Sequence, residues 1–344
     1  MSYDEIPVRY VRTFEAGGKS IRNEYYNLPL ETASYVIFED KGLVKAKNGK
    51  TGQIELKNED AATVIQKCAS SLSDGGLIVI RKGTYLFYKA VTLTTPVTIT
   101  GEGRSTVLKL ADNADYNIFD VKVSGCAFMN LLFDGNRDNV QYDPAHHYPN
   151  CIYVADTSVE ETLVAFCHFQ NVLSHGFVEP TGIGRRSRVL YNTFTNCGWF
   201  DIAFAGNGSS IAIGNSLYNS YGIELHGAQG RNVLMGNTIY GSETPYGIYL
   251  HSTYYNVVVG NTVRDVDDYG IVLISSYRNL IMGNTVTGTT GLGRGIGIVS
   301  SDENNIMLNR SDNSVGIYIH DADSEDNIIK FNDLRGSTTP ITDT

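Results

Sequence analysis

In the C-terminal half of the chain, apolar and polar residues alternate in short runs, and turn residues such as Gly, Asn and Ser separate the runs. Alternation of this kind is the signature of half-buried β-strands, and no segment there carries the three-and-four spacing of a helix. Three runs make one unit. The triplet Gly-Asn-Thr recurs in VLMGNTIYGS from Val233, VVVGNTVRDV from Val257 and LIMGNTVTGT from Leu280. Aligned on its asparagine, the series runs through Asn192, Asn215, Asn237, Asn261, Asn284, Asn309 and Asn332, in steps of 22 to 25 residues. Midway between these come YGIELHG from Tyr221, YGIYLHS from Tyr246, YGIVLIS from Tyr269, RGIGIVS from Arg294 and VGIYIHD from Val315. A third run (YYNVVV, YRNLIM, ENNIML, EDNIIK) places another asparagine five residues before the next triplet asparagine.

Three strands per unit of about 23 residues predict an all-β fold, a right-handed parallel β-helix wound from a single chain. Successive coils stack at the strand spacing of about 4.8 Å, so equivalent positions form ladders. An inward asparagine at a sharp turn tolerates left-handed dihedrals and can bond its amide to the asparagines above and below. On this reading Gly-Asn-Thr is the corner of a coil.

The repeats resemble those of the pectin-lyase-like β-helix superfamily, in its carbohydrate-binding and sugar-hydrolase repeat form. Upstream, NEDAATVIQKCASSLSDGGLIVIRKGTYLF (Asn58 to Phe87) is similar to the opening of the pectate-lyase-3-like and tailspike branch, as are ITGEGRSTVLKL and NLLFDGNRDN. That resemblance implies an amphipathic helix plugging the open end of the coil. The residues agree, since Ala61, Val64, Ile65, Cys68 and Leu72 form one helical stripe that Gly75-Gly76 ends. The superfamily holds lyases, hydrolases, epimerases, tailspikes and non-catalytic adhesins, so the resemblance implies fold more than activity. Residues 58–344 are expected to form the β-helix. Residues 1–57 lie outside the repeat, and SYVIFEDKGLVKAKNGKTGQIEL alternates around Asn48-Gly49 as a hairpin would. Such a segment could cap the helix, pair with another protomer or attach the chain to a larger particle.

Composition narrows the function. The 344 residues include 35 glycines and only eight prolines, which suits a turn-rich β protein, and the net charge is −10 without a basic cluster. Nucleic acid is therefore not an expected partner. An acidic surface would also repel a polyanionic glycan unless basic residues gather locally. No apolar run is long enough to span a membrane, and MSYDEIPVRY has no apolar signal region. An extracellular or virion-associated setting fits a polysaccharide-directed β-helix better than a cytoplasmic one. Cys68, Cys126, Cys151, Cys167 and Cys197 form no Cys-x-x-Cys pair and read as small buried residues.

Chemistry is expected on outward positions. Alternation in GIELHG leaves Glu224 and His226 outside, the next coil sets Tyr249 and His251 beside them, and GWFDIAF places Trp199 and Asp201 outward. Asp201 and Glu224 would stand roughly 8 Å apart on sheet spacings, a separation that suits an inverting glycoside hydrolase. A lyase would instead draw a base from Tyr249, His226 or His251. His175 or Glu179 is a candidate extension of this patch, the alternation frame there being ambiguous, since matching the coil to the next would turn Glu179 inward. The long loop after Asp134 gathers Asp134, Arg137, Asp138, His146 and His147 as candidate substrate contacts. Its YDPAHH only faintly resembles the aspartate-proline-histidine signature of mannuronan epimerases, and that activity is not carried over. No metal ligand set is expected: calcium remains conceivable at RDVDD and HDADSED, but neither has a calcium loop's glycine and distal glutamate. Val272, Ile274 and Val299 would form an outward apolar ladder, which a homotrimer or a returning tail would cover. Two functions follow: an enzyme that cleaves a polysaccharide, by elimination or hydrolysis, or a non-catalytic glycan-binding or structural β-helix of tailspike or adhesin type.

Overall fold

The computed structural model describes residues 10–16, 19–25, 33–141, 149–227, 230–241, 246–291, 293–320 and 323–343. Three parallel sheets run the length of a right-handed β-helix, with ten, eleven and fourteen strands among the described residues. Each coil gives one strand to each sheet. Val233, Val257, Leu280 and Asn305 are successive register partners in the fourteen-strand sheet. Thr238, Thr262, Thr285 and Arg310 are their counterparts in the ten-strand sheet.

The expected asparagine ladder lies at the corner between these two sheets. The Nδ2 of Asn237 donates to Asn261 Oδ1 at 2.9 Å and to the Ala212 carbonyl at 2.9 Å, and the Asn237 amide N–H donates to the same Asn261 oxygen at 2.9 Å. The pattern repeats from Asn192 to Asn332, and a second ladder runs through Asn232, Asn256, Asn279, Asn304 and Asn327. Each side chain replaces hydrogen bonds that a bent, buried backbone would otherwise lack. The left-handed residue is not the triplet asparagine but the one before it: Gly236, Gly260 and Gly283 have φ near +64°, and Tyr191 and Leu308 adopt the same region without glycine's freedom.

The interior is filled by inward columns. In the ten-strand sheet, Phe133, Phe169 and Phe194 stack with centroids 4.7 and 4.6 Å apart, and Leu217, Ile239, Val263 and Val286 continue the column. The helix Ala61–Ser70 closes the end, its N-terminus capped by Asp60, whose carboxylate accepts from the amides of Ala62 and Thr63. Ala61, Val64, Ile65 and Cys68 are buried, and Leu72 packs against them partly exposed.

Residues 33–58 form an antiparallel meander of strands Tyr35–Asp40, Leu43–Asn48 and Ile54–Asn58. Its hairpin at Asn48 is joined by an earlier turn at Lys41-Gly42, both left-handed. The first of these strands pairs in parallel with Gly76–Ile80, so the meander extends the fourteen-strand sheet past the helix. Strands Tyr10–Ala16 and Lys19–Tyr25 pair with each other. The five cysteines are all buried and free, and no described helix is long and apolar enough to cross a membrane.

Candidate functional site

The candidate residues gather on the outer face of the eleven-strand sheet. Its central column runs Tyr153, Val178, Ala203, Glu224, Tyr249, Val272, Gly297 and Tyr318. Two residues further along, His226, His251, Ile274, Val299 and His320 form a second column. The side chains of Ile223 and Leu225 point inward, which leaves Glu224 and His226 outside as alternation requires.

Glu224, His226, Tyr249 and His251 form one cluster. His226 Nδ1 lies 3.4 Å from Glu224 Oε1, the His226 and His251 rings are 4.7 Å apart, and His251 stacks on Tyr249 at 5.6 Å. Their protonation is pushed apart. The hydrogen bond to Glu224 raises the pKa of His226, whereas burial, followed by the neighbouring His226, lowers that of His251. Burial, with Tyr246 and Glu224 adding to it, pushes the Tyr249 hydroxyl up to about 12. Relative to free imidazoles, the cluster thus favours a proton on His226 and disfavours one on His251, and it keeps the proton on the Tyr249 hydroxyl.

Aromatic rings border the cluster. Trp199, 46% exposed, stacks on Tyr221 at 6.3 Å, and Phe200 and Tyr246 stack on Tyr249 at 5.8 and 4.8 Å. The tyrosines of the repeated Tyr-Gly-Ile supply this border: Tyr246 and Tyr269 are register partners, and Arg294 takes the same place one coil later. The repeat displayed Tyr221, Tyr246, Tyr269 and Arg294, but alternation counted from the strand interior gave them no face. Tyr318 and His320, stacked 5.7 Å apart, extend the surface two coils beyond Val272.

Several expectations fail here. Asp201 is fully buried, because the chain bends just before Ile202 and turns the preceding residue inward. Its Oδ2 accepts the Gly222 N–H at 3.1 Å, its Oδ1 meets no donor in hydrogen-bond geometry, and burial pushes its pKa up to about 7. At the same bend the coils on either side carry Gly176, Gly222, Gly247 and Gly270, and a Cβ on Gly247 or Gly270 would strike Val263 or Val286 inside the coil. Aligning FDI with YGI exposes this exception in the sequence. Asp201 therefore cannot pair with Glu224 across a substrate. Glu179 is also inward, held by the Ser210 hydroxyl at 2.8 Å, as the register with Phe204 requires.

Val272 is not an exposed rung either. It is fully buried, with the Tyr269 ring lying across the space that a Gly297 side chain would fill. Ile274 and Val299 remain half-buried. Asp134 is nearly buried on the ten-strand sheet, accepting from Gln170 at 3.1 Å and from the Asn136 N–H at 2.9 Å. Arg137 comes close to Gly198, next to Trp199, and Asp138 is exposed beside it in the turn Arg137–Asn139. His175 is partly buried, its Nδ1 2.8 Å from Ser174 Oγ and 3.0 Å from Asn150 Oδ1, and burial lowers its pKa. His146 and His147 lie outside the described residues.

Residues 182–333 match the model of a family described as "Periplasmic copper-binding protein (NosD)". Copper would need converging imidazole or sulfur donors. Among the described residues no three of His, Cys, Asp and Glu converge on one point. Met282 and Met307 are register neighbours on the fourteen-strand sheet, away from the histidines. The described residues do not form such a donor set, and copper binding is not ascribed to this chain.

No curated protein matches the chain in sequence. Among solved structures, the mannuronan C-5 epimerase AlgE4 A-module of Azotobacter vinelandii is 14% identical, with 82% of this chain and 93% of that one covered at a TM-score of 0.57. The Dettilon tailspike protein (gp208) is 14% identical, with 82% and 65% covered at 0.59. A mannuronic acid specific polysaccharide family 6 lyase from human gut microbiota is 13% identical, with 79% and 72% covered at 0.56. Identities this low speak to architecture, and with the stacked coils, the asparagine ladders and the capping helix they agree on one: the chain has the right-handed parallel β-helix fold.

Proposed function

We propose that the outer face of the eleven-strand sheet around Glu224 and His251 binds a polysaccharide and cleaves it by elimination. The observation that carries this reading is the pair of histidines whose protonation is pushed in opposite directions within one aromatic-lined cluster. Opposed shifts between adjacent titratable groups assign an acid and a base. His251 is the base and takes the proton from the carbon that bears a uronate carboxylate. That electron pair forms the new carbon–carbon double bond, the glycosidic carbon–oxygen bond breaks, and the leaving oxygen takes a proton from His226. Glu224 is a positioning residue that holds the His226 proton. Trp199, Tyr221 and Tyr246 offer apolar area to pyranose faces.

Burial of Asp201 removes the partner that hydrolysis by two carboxylates would require. The similar solved structures include a polysaccharide lyase, an epimerase of mannuronan and tailspikes, one of them in complex with a pentasaccharide, which supports a carbohydrate ligand. The test is a panel of acidic and neutral polysaccharides, followed by the ultraviolet absorbance of unsaturated uronates and by reducing ends together. The expected result is that both signals rise, and that His251→Ala lowers the rate by about 100-fold or more, the usual worth of a positioned base. Reducing ends without absorbance would refute elimination. Glycan binding with neither signal would favour the non-catalytic, tailspike-like alternative.

A further inference from the structure

Two coils beyond Tyr249, on the same outer face, the Arg294 side chain is clamped between two rings. Its guanidinium carbon lies 3.8 Å from the Tyr318 ring centre and 5.0 Å from that of Tyr269, and its Nη1 donates to the Tyr269 hydroxyl. Gly297 makes the clamp possible: a Cβ there would fall on the Tyr269 ring, which instead lies over Val272 and toward Tyr318. A guanidinium carries five N–H donors in a rigid plane, and the Tyr269 hydroxyl occupies one of them. The neighbouring arginines are different. Arg278 is paired with Glu303, Arg310 with Asp312 and Arg335 with Asp333, whereas among the described residues Arg294 has no carboxylate within ion-pair distance. A planar cation held between two rings, with no carboxylate partner among the described residues, suits the bidentate geometry of a planar carboxylate. It is also a local cation on a chain whose net charge of −10 would otherwise repel an acidic polymer.

We propose that Arg294, Tyr269 and Tyr318 form a subsite that holds the carboxylate of one acidic sugar while the bond two coils away, at the Glu224–His251 cluster, is broken. This rests on the polysaccharide reading and adds a place where acidic and neutral chains are told apart. Coils stack at about 4.8 Å, so the subsite lies roughly two sugar lengths from His251 along the helix axis.

The test is calorimetry on the full chain carrying His251→Ala, so that no probe is consumed. The probes are hexamers of galacturonate and mannuronate, their carboxyl-reduced neutral forms, and a sulfated neutral oligosaccharide. The expected result is that Arg294→Gln weakens at least one uronate hexamer about tenfold, the worth of a charge-assisted bidentate contact, and leaves the neutral forms unchanged. Arg294→Lys should fall between, because an ammonium lacks the planar fork. Its unchanged melting temperature would separate lost binding from lost fold. Equal binding of the uronates with and without Arg294 would overturn the subsite and leave the cleavage reading standing. Equally tight, Arg294-dependent binding of the sulfated probe would overturn the carboxylate assignment. A wild-type chain that neither binds nor cleaves any saccharide would overturn both.

Discussion

Asp201 offers the sharpest test of how the coil is built. Its carboxyl sits inside the coil at a bend where the neighbouring coils carry glycine, with a pKa pushed from 3.8 to about 7 by burial. The folded form binds this proton more tightly than the unfolded chain, so between those two values the native state holds more protons. Stability must then fall as pH rises through that window, and stay reduced above it. Each tenfold change in proton affinity is worth about 1.4 kcal/mol, so the full penalty is about 4 kcal/mol. Roughly 3 kcal/mol of it develops between pH 4.5 and 7.5. Glu179, buried and pushed to about 7, adds a penalty of the same sign. Carboxylates held low by arginine, such as Asp333, act in the opposite direction at lower pH. Asp201→Asn isolates one group, because every other titration is shared with the parent. Urea denaturation of both proteins at pH 4.5 and 7.5 should find the variant gaining about 3 kcal/mol on the parent across that interval. Asp201→Gly, which restores the glycine of the flanking coils, should show the same gain. Parallel pH dependences in parent and variants would refute the buried-carboxylate account.

Two further tests address the scaffold. Asn261→Ala strips the partner from the Asn237 amide and side chain and from the Leu234 carbonyl, all inside the coil. At about 1 to 3 kcal/mol per orphaned buried group it should cost at least about 3 kcal/mol by urea denaturation, several times more than Asn332→Ala at the more exposed end of the ladder; equal costs would refute the ladder's role. Gly247→Ala drives a methyl group into Val263 and the Gly270 carbonyl, whereas Gly236→Ala meets open space at a left-handed φ of +63°. The first should cost about 2 to 3 kcal/mol and the second about 1, and a reversed order in melting experiments would show that the two glycines were assigned the wrong roles.

The coil period, the asparagine ladders and the helical plug were legible because each repeats a local pattern that fixes backbone geometry. Glu224, His226, Tyr249 and His251 were legible for the same reason: they sit in the middle of strands, where alternation decides the face. Asp201 and Tyr221 lie at the bend before those strands, where the chain turns and a count of two no longer tells inside from outside. Burial of Val272 was illegible for another reason. It follows from the reach of Tyr269 over a missing side chain at Gly297, a contact between coils that no single segment records. Arg294 was visible only as a break in a tyrosine series. Its lack of a carboxylate partner among the described residues is a property of three dimensions.

The in-register stacking of the coils also makes the molecule a ruler. Outward side chains recur at a fixed rise of about 4.8 Å, and each coil rests mainly on its two neighbours. The distance from one chemical group to the next is therefore counted in whole coils and cannot be adjusted by fractions. On the proposed reading, a polymer lying along this face would be sampled at regular marks: rings at Trp199 and Tyr221, the histidines one and two coils on from Trp199, and the guanidinium at Arg294. Gaining or losing one coil between two marks would move them by a full step, changing which sugar meets which group while leaving each group's own surroundings intact.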